Sequence, residues 1–461
     1  MKVTRMKYDL LIKDGKLVTS TSISNCTIGI NNGKIFALHK HSIGLEGEQE
    51  IDASGNIILP GIIDPHVHFS LPVNPTLKSS DSFESGSKAA AFGGMTTFLD
   101  FTTPTIGTTL KDQLETRIEE AKSSCIDYSF HIVVTDASPT TLGEISHLAH
   151  EGFPSFKIFT TYGSRGLMLT DDELGIVFNQ VKDAGGIILA HCEDESLVVE
   201  NQRALIKEGH IAPEFHADAR PAIAEAEAIA RVALLAGNTK TKLYVVHVST
   251  KMGLLKIRAA KATGTPIIAE TCPHYLSLNR EMLNGPKGHL YLMTPPLREQ
   301  SDCTSLWTGL TEEVLDTIGT DHCPFYQKDK LAERFIDAPM GVMGVETLLP
   351  ILYTDGVLTD RLTLFQLVKF CSENPARAFG LFPQKGALEL GSDADLVLID
   401  PKAEKIVSSE DLHMNVDYNI FEGRNLSGWP LKVISRGEII VDGGDFVCDA
   451  HRGILLRRKG H

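Results

Sequence analysis

The stretch Pro60-Gly-Ile-Ile-Asp-Pro-His-Val-His-Phe69 places two histidines at the end of an apolar run that begins at Ile57. On a β-strand alternate side chains share a face, so His66 and His68 project together. Neutral imidazoles paired in this way suit a divalent transition metal such as zinc. A bare H-x-H also occurs on many strands by chance. Its meaning therefore depends on whether other strand ends supply partners of the right chemistry.

Downstream of this stretch, apolar strands alternate with helical segments. Strands are predicted over 59–69, 96–102, 128–134, 155–160, 186–191, 243–249, 266–270 and 317–321. Helices are predicted between them, among others over 82–92, 110–123, 222–236 and 251–262. Eight strands alternating with helices over roughly 260 residues favour an α/β fold of the (β/α)8 barrel type over an open doubly wound sheet. No G-x-G-x-x-G follows the first strand, which weighs against a dinucleotide-binding fold.

Both flanks of this region read differently. Residues 8–12, 16–18, 26–30 and 34–38 are predicted as short strands, separated by Asp14-Gly15 and Asn31-Asn-Gly33, which are hairpin signals. After the barrel a helix is expected to start at Asn374-Pro375, with Asn as its cap and Pro at its first position. Strands return at 395–399, 433–434 and 439–441. The two β-rich ends are expected to pair into one small composite sheet. This divides the chain into 1–58, the barrel at 59–390, and 391–461. The tail from Arg452 to His461, with Arg457-Arg-Lys459, reads as a surface extension or subunit contact.

Composition bounds the class. A chain of 461 residues with 42% hydrophobic and 22% charged residues is ordinary for a globular enzyme. A formal charge of −15 argues against nucleic acid or an anionic membrane as the main partner. No apolar run reaches the about 18 residues of a transmembrane candidate. The segment Met1-Lys-Val-Thr-Arg-Met-Lys-Tyr-Asp9 lacks the apolar stretch of a secretory leader. Eight scattered cysteines without a C-x-x-C pair suit a reducing cytoplasm.

In a (β/α)8 barrel the active site lies at the C-terminal ends of the strands. The polar residues predicted there are His66 and His68 on strand one, Lys157 on strand four, His191 on strand five, His247 on strand six and Asp321 on strand eight. Each has a bland reading alone. Yet a lysine between Phe156 and Ile158 is expensive to bury unpaired, and all six share one end of the barrel. Four imidazoles, a carboxylate and a lysine can hold two divalent metals if the lysine becomes an anion. Carbamylation by carbon dioxide would achieve this and bridge two cations about 3.5–4 Å apart. Asp321, facing a hydroxide between them, could take its proton and pass it to a leaving amide nitrogen.

These residues resemble the dihydropyrimidinase/hydantoinase branch of the amidohydrolase superfamily, and the resemblance covers essentially the whole chain. Its early segments are Gly61-Ile-Ile-Asp-Pro-His-Val-His68, Lys88-Ala-Ala-Ala-Phe-Gly-Gly-Met-Thr-Thr97, Ser155-Phe-Lys-Ile158 and Ala190-His-Cys-Glu193. Then come Val246-His-Val-Ser249, Glu270-Thr-Cys-Pro-His-Tyr-Leu276 and Thr294-Pro-Pro-Leu-Arg298. Gly319-Thr-Asp-His-Cys-Pro324 and Gly391-Ser-Asp-Ala-Asp-Leu-Val397 complete the set. The resemblance implies a binuclear zinc site, with His66, His68, carboxylated Lys157 and Asp321 on one ion and Lys157, His191 and His247 on the other. It implies a small β-sandwich built from both chain ends, and a homotetramer. It also implies that the Tyr162 hydroxyl binds substrate and stabilises the oxyanion, and that residues 294 and 340 bind the amide edge of the ring. The chain departs from the family pattern at both, with Thr294 for serine and Met340 for the asparagine of Pro-Asn-Gly.

Neighbouring branches fit less well. Dihydroorotase-like sequences place an arginine where this chain has Ser70, and the Met-Pro pair of dihydroorotases and allantoinases is replaced by Asp100-Phe-Thr-Thr-Pro104. The expected activity is hydrolysis of a 5,6-dihydropyrimidine or a 5-substituted hydantoin to an N-carbamoyl amino acid. The alternatives are an allantoinase-type cyclic amidase and a non-catalytic scaffold on the same fold. Phe69, Leu71 and Val73 after strand one, with Leu167 and Met168 after strand four, are expected to shape the pocket. Cys192 and Cys323 are expected to point away into packing. His274 and His322 are candidates for hydrogen bonds behind the ligands.

Overall fold

In strand Ile57–Pro60, alternate side chains belong to two different cores. Ile58 packs with Leu10, Ile28 and Leu396 in one apolar cluster, whereas Ile57 and Leu59 face the larger cluster that includes the outer layer of the barrel. Its antiparallel partner, Leu396–Ile399, divides in the same way. Period-two alternation thus lets one sheet serve both cores. The structure, a computed structural model, describes residues 7–105 and 107–460. The expectations for residues 1–6 and for His461 lie outside these.

The small β unit is a nine-stranded sheet that carries strands from both flanks of the barrel, as expected. Its path runs from Asp445–Phe446 through Glu438–Asp442, Pro430–Ser435, Leu396–Ile399 and Ile57–Pro60 to Lys7–Val18, Ile23–Asn31 and Lys34–His39. Glu46–Asp52, which the sequence pattern missed, pairs with Lys7–Val18. The Asn31-Asn-Gly33 turn forms as predicted, with φ of 50° at Asn32 and 71° at Gly33. Asp14-Gly15 is not a hairpin. Lys7–Val18 is one continuous strand, and the left-handed Asp14 marks a bulge where its register shifts between Ile12 and Gly15.

Eight parallel strands form the barrel. They are Ile62–Val67, Met95–Phe101, Asp127–Val133, Ser155–Phe159, Ile187–His191, Lys242–Val245, Ile267–Thr271 and Thr317–Ile318, each paired with the next. A parallel bridge between Val67 and His322 brings the last strand's continuation back to the first. The strand expected over 59–69 is therefore two strands, one in each sheet. At the junction, a Cβ on Gly61 would sit 2.1 Å from the Thr96 hydroxyl, so only glycine lets the chain pass. The helices predicted over 82–92, 110–123, 222–236 and 251–262 form as Phe83–Phe92, Leu110–Ala121, Ala222–Thr239 and Lys251–Ala262, with Ser82, Thr109 and Thr250 as side-chain caps.

Two expectations near the C-terminus need correction. A short helix does run Asn374–Ala378 with Pro375 in its first turn, but it continues the helical turns before it and Asn374 is not its cap. Helical turns begin after the Thr363 cap, and Lys369–Glu373 widens into a π-helical turn ahead of Pro375, whose ring nitrogen cannot donate. Asn374 instead donates to the Asp316 carbonyl at 2.7 Å. The tail, expected as a surface extension or subunit contact, is exposed at Arg457 and Lys459 but tied to the barrel between them. Its backbone pairs with Tyr128 at Ile454 and Leu456, and Arg458 is 4% exposed. Its guanidinium donates to the Ser129 and Ser155 hydroxyls and the Phe130 carbonyl at the third and fourth barrel strands.

Candidate active site

Alternation along the barrel strands decides which polar groups face inward. In Ser155–Phe159, Phe156 and Ile158 join the outer apolar layer, so Lys157 projects to the inside. In Ile187–His191, Ile188 and Ala190 face outward and His191 inward. His66 lies near the end of the first strand and His68 just beyond it. His247 and Asp321 stand past the ends of Lys242–Val245 and Thr317–Ile318, which stop short of the predicted 249 and 321. Both are left-handed, with φ of 40° and 51°, which ends the regular ladder. All six residues line one cavity of about 460 Å³ at the C-terminal ends of the strands.

Within the cavity they form two adjoining groups. His66 Nε2 and His68 Nε2 lie 3.2 and 3.0 Å from Asp321 Oδ1. The ligating atoms of these three residues all fall within 4.8 Å of one another, a set of donors suited to a divalent metal. In the second group, His191 Nδ1 approaches His247 Nε2 to 2.9 Å, and the His66 and His247 ring centroids are 5.5 Å apart. Burial lowers the His68, His191 and His247 imidazole pKa values, so the rings are held neutral, the form that binds a metal. Burial alone would raise the Asp321 carboxyl, but His66 and His68 hold it well below the usual carboxylate range. Lys157 is 2% exposed, and its amine lies 5.2 Å from the Phe101 and Phe159 ring centroids. Burial pushes that amine down from 10.5 to about 8.

Carboxylates behind the imidazoles fix their orientation, a common arrangement for metal-binding histidines. Glu270 Oε1 accepts from His66 Nδ1 at 2.7 Å and from the His247 amide at 3.0 Å, while Oε2 accepts from the Tyr244 hydroxyl at 2.8 Å. Glu193 Oε2 lies 2.8 Å from His191 Nε2 and is paired with Arg220. Burial would raise the Glu193 carboxyl, but the Arg220 charge, the His191 contact and the Arg298 charge together outweigh it and bring it down to about 2. The sequence reading missed both glutamates. Glu193 follows His191 by two residues, and that spacing was the available signal. The expected histidines do not serve here. His322 bonds to Asp81 and to the Gly344 amide, and His274 Nε2 is buried without a partner.

Tyr162, Thr294 and Met340 all line the same cavity. The Tyr162 ring centroid is 5.2 Å from that of His191, and burial raises the phenol pKa, so it is a neutral donor near pH 7. Thr294 Oγ1 is buried without a hydrogen-bond partner. The segments around Thr294 and Met340 are joined by Lys330, whose buried amine donates to the carbonyls of Leu292, Pro339 and Gly341 at 2.5, 3.0 and 2.9 Å. Nothing in the sequence pattern singled Lys330 out. Leu71, Val73 and Leu167 form apolar wall. Phe69 does not, because it packs edge-on against Phe83 and Phe98, and Met168 is drawn into a bridge with Phe159. Cys192 is in the apolar core as expected, but Cys323 lines the cavity.

Comparison with known proteins agrees with this geometry. The model of the amidohydrolase family matches residues 57–440. The D-hydantoinase of Geobacillus stearothermophilus is 37% identical over 458 residues, spanning 97% of this chain and 96% of that protein. The D-phenylhydantoinase of Escherichia coli O9:H4 (strain HS) is 38% identical over 459 residues, with 98% of each chain covered. Among solved structures, the dihydropyrimidinase from Brevibacillus agri superposes with a TM-score of 0.95 at 36% identity, covering 98% of both chains. The L-hydantoinase from Arthrobacter aurescens gives 0.90 at 29% identity, with 98% of this chain and 100% of that one covered. A (β/α)8 barrel, a sheet built from both chain ends and matches of this extent lead to one conclusion: the chain belongs to the amidohydrolase family, in its dihydropyrimidinase/hydantoinase branch.

Proposed function

We propose that the protein is a metal-dependent cyclic amidase that opens 5,6-dihydropyrimidines or 5-substituted hydantoins to N-carbamoyl amino acids. The observation that carries this reading is the convergence of four imidazoles, Asp321 and the buried Lys157 on one cavity. Relatives named hydantoinase and dihydropyrimidinase, matched along their full length, support it. His66, His68 and Asp321 would hold one divalent ion, most simply zinc, and His191 and His247 a second. Lys157, N6-carboxylated, would bridge them. The neutral amine that carboxylation requires is favoured by burial, which brings Lys157 to about 8. Such ions supply a nucleophilic water near neutral pH and polarise the scissile carbonyl.

The remaining chemistry belongs to this chain's side chains. Asp321, kept ionised by its histidine neighbours, accepts the proton of the attacking water at Oδ and returns it to the ring nitrogen as the amide bond breaks. The Tyr162 hydroxyl donates to the carbonyl oxygen as negative charge develops on it. Thr294 and the Met340 segment receive the amide edge of the ring through backbone and hydroxyl groups. This tolerates the departures from the family residues, because a backbone contact does not depend on the side chain. Leu71, Val73 and Leu167 offer apolar wall to a substituent at carbon 5.

Among the described residues no helix is long and apolar enough to cross a membrane, and all eight cysteines are free, seven of them buried. Free buried thiols support a reducing, cytoplasmic setting. The family resemblance supports a homotetramer. The test of function is proton release in a pH-stat, using zinc-reconstituted protein supplied with bicarbonate. Its substrates are dihydrouracil, 5-phenylhydantoin, allantoin and dihydroorotate, since opening any of these rings creates a carboxylic acid. Turnover of the first two is expected. Turnover of allantoin or dihydroorotate alone would move the protein to a neighbouring branch, and silence on all four would remove the reading.

A further inference from the structure

We infer that Glu195 is the positioning residue for Tyr162: its carboxylate holds the turn that aims the phenol into the cavity. The inference rests on the ring-opening reading above for its kinetic consequence, though not for its geometry. Tyr162 has φ of 67° and ψ of 38°. For a bulky side chain this left-handed conformation is an outlier, and it persists only where its surroundings over-determine it. The turn cannot stabilise itself through a regular ladder, because strand Ser155–Phe159 has already ended. The Arg165 and Leu167 amides return to the Tyr162 carbonyl, while the donors of residues 161–163 are collected by a single side chain from a different element.

Glu195 is the first residue of helix Glu195–Lys207, which Asp194 caps through the Leu197 amide. Its Oε2 accepts from the Thr161 hydroxyl at 2.6 Å and from the Tyr162 amide at 2.9 Å. Its Oε1 accepts from the Gly163 amide at 3.1 Å. Three consecutive residues thus converge on one carboxylate. The approach is close: a Cβ at residue 163 would stand 3.0 Å from Oε1. Held in this way, the Tyr162 ring centroid lies 5.2 Å from that of His191 and 5.2 Å from the Arg220 guanidinium. Glu195 follows Glu193, which orients His191, so one short segment sets both the histidine and the phenol beside it.

Neutral or truncated replacements break this arrangement in graded ways. Glutamine keeps one acceptor but presents an amide to backbone donors, and alanine keeps none. Glu195 is half-buried at the surface, so both variants should fold. The test is a double-mutant cycle of Glu195→Ala and Tyr162→Phe, with Glu195→Gln as the conservative variant. Glu195→Ala is expected to lower kcat about 10–100-fold with a smaller change in KM, and glutamine to recover part of it. In the Tyr162→Phe background, Glu195→Ala should change kcat less than about twofold, because the group it positions is gone.

A readout independent of turnover uses protein labelled with 3-fluorotyrosine, in which loss of one fluorine resonance in Tyr162→Phe identifies Tyr162. That resonance should shift or broaden in Glu195→Ala and return toward its original position in Glu195→Gln. An unchanged resonance, a wild-type kcat, or an equal loss in both backgrounds would overturn the inference. A resonance that moves while wild-type protein turns over no ring would leave the positioning role standing and remove the proposed reaction.

Discussion

Lys330 shows how a single buried residue can join two parts of a site. Its amine satisfies three backbone carbonyls that flank Thr294 and Met340, yet burial pushes its pKa down from 10.5 to about 7. Between pH 7 and 10.5 the native state therefore binds fewer protons at this group than the unfolded chain. Stability contributed by Lys330 rises with pH through that window, and the cost of burying the ammonium is felt in full below it. Lys330→Met leaves three carbonyls without a donor, at about 1–3 kcal/mol each. The thermal midpoint of wild type should exceed that of Lys330→Met by a margin that grows as pH is raised from 7 toward 10. A margin independent of pH would contradict the depressed pKa. Sequence reasoning reached the metal-type residues because histidine, lysine and aspartate at strand ends are chemically conspicuous. It did not reach Lys330, whose partners are carbonyl oxygens that no residue pattern encodes.

Elements hold together through a second buried lysine. Lys385, 1% exposed, follows the helical region that closes the barrel sequence. Its amine lies 2.5 Å from Asp127 at the start of the third barrel strand, 2.8 Å from Asp395 and 3.0 Å from Asp393 beside the small sheet. Burial alone would lower this amine, but the three carboxylates raise it, so the ammonium persists far above neutral pH. Lys385→Met would strand the carboxylates in the interior and cost roughly 3–5 kcal/mol, read as a lower thermal midpoint. A stability within about 0.5 kcal/mol of wild type would show that the cluster reorganises or takes up solvent.

Alternation and caps made most elements legible, as in Lys251–Ala262, which forms over the predicted residues. What escaped was decided by tertiary contacts. Gly61 divides one apolar run between two sheets. Asp14-Gly15 makes a bulge because both flanking segments find the same partner, Ile23–Asn31. The strands before His247 and Asp321 end early because left-handed turns bring these residues to the cavity.

At the scale of the whole molecule, the two ends of the chain meet in one sheet against the barrel, and the tail packs Arg458 beneath it. The strand ends opposite the tail are thereby left open as the cavity. That polarity is why a strand-end reading of the sequence picked out six residues that share one cavity: in a parallel barrel every C-terminal strand end faces the same way. The walls were less legible, since Phe69 and Met168 share the composition of Leu71 and Leu167 but are drawn into packing by Phe83, Phe98 and Phe159.

The central claim is that the two adjoining groups of side chains work through divalent metal. The most direct measurement strips the protein with a chelator and returns zinc stepwise in the presence of bicarbonate, following bound metal and hydrolysis of dihydrouracil and 5-phenylhydantoin together. Activity is expected to be absent from the stripped protein and to reach its plateau at about two ions per chain. Undiminished hydrolysis in metal-free protein, or zinc bound at that ratio with neither ring opened, would contradict the account.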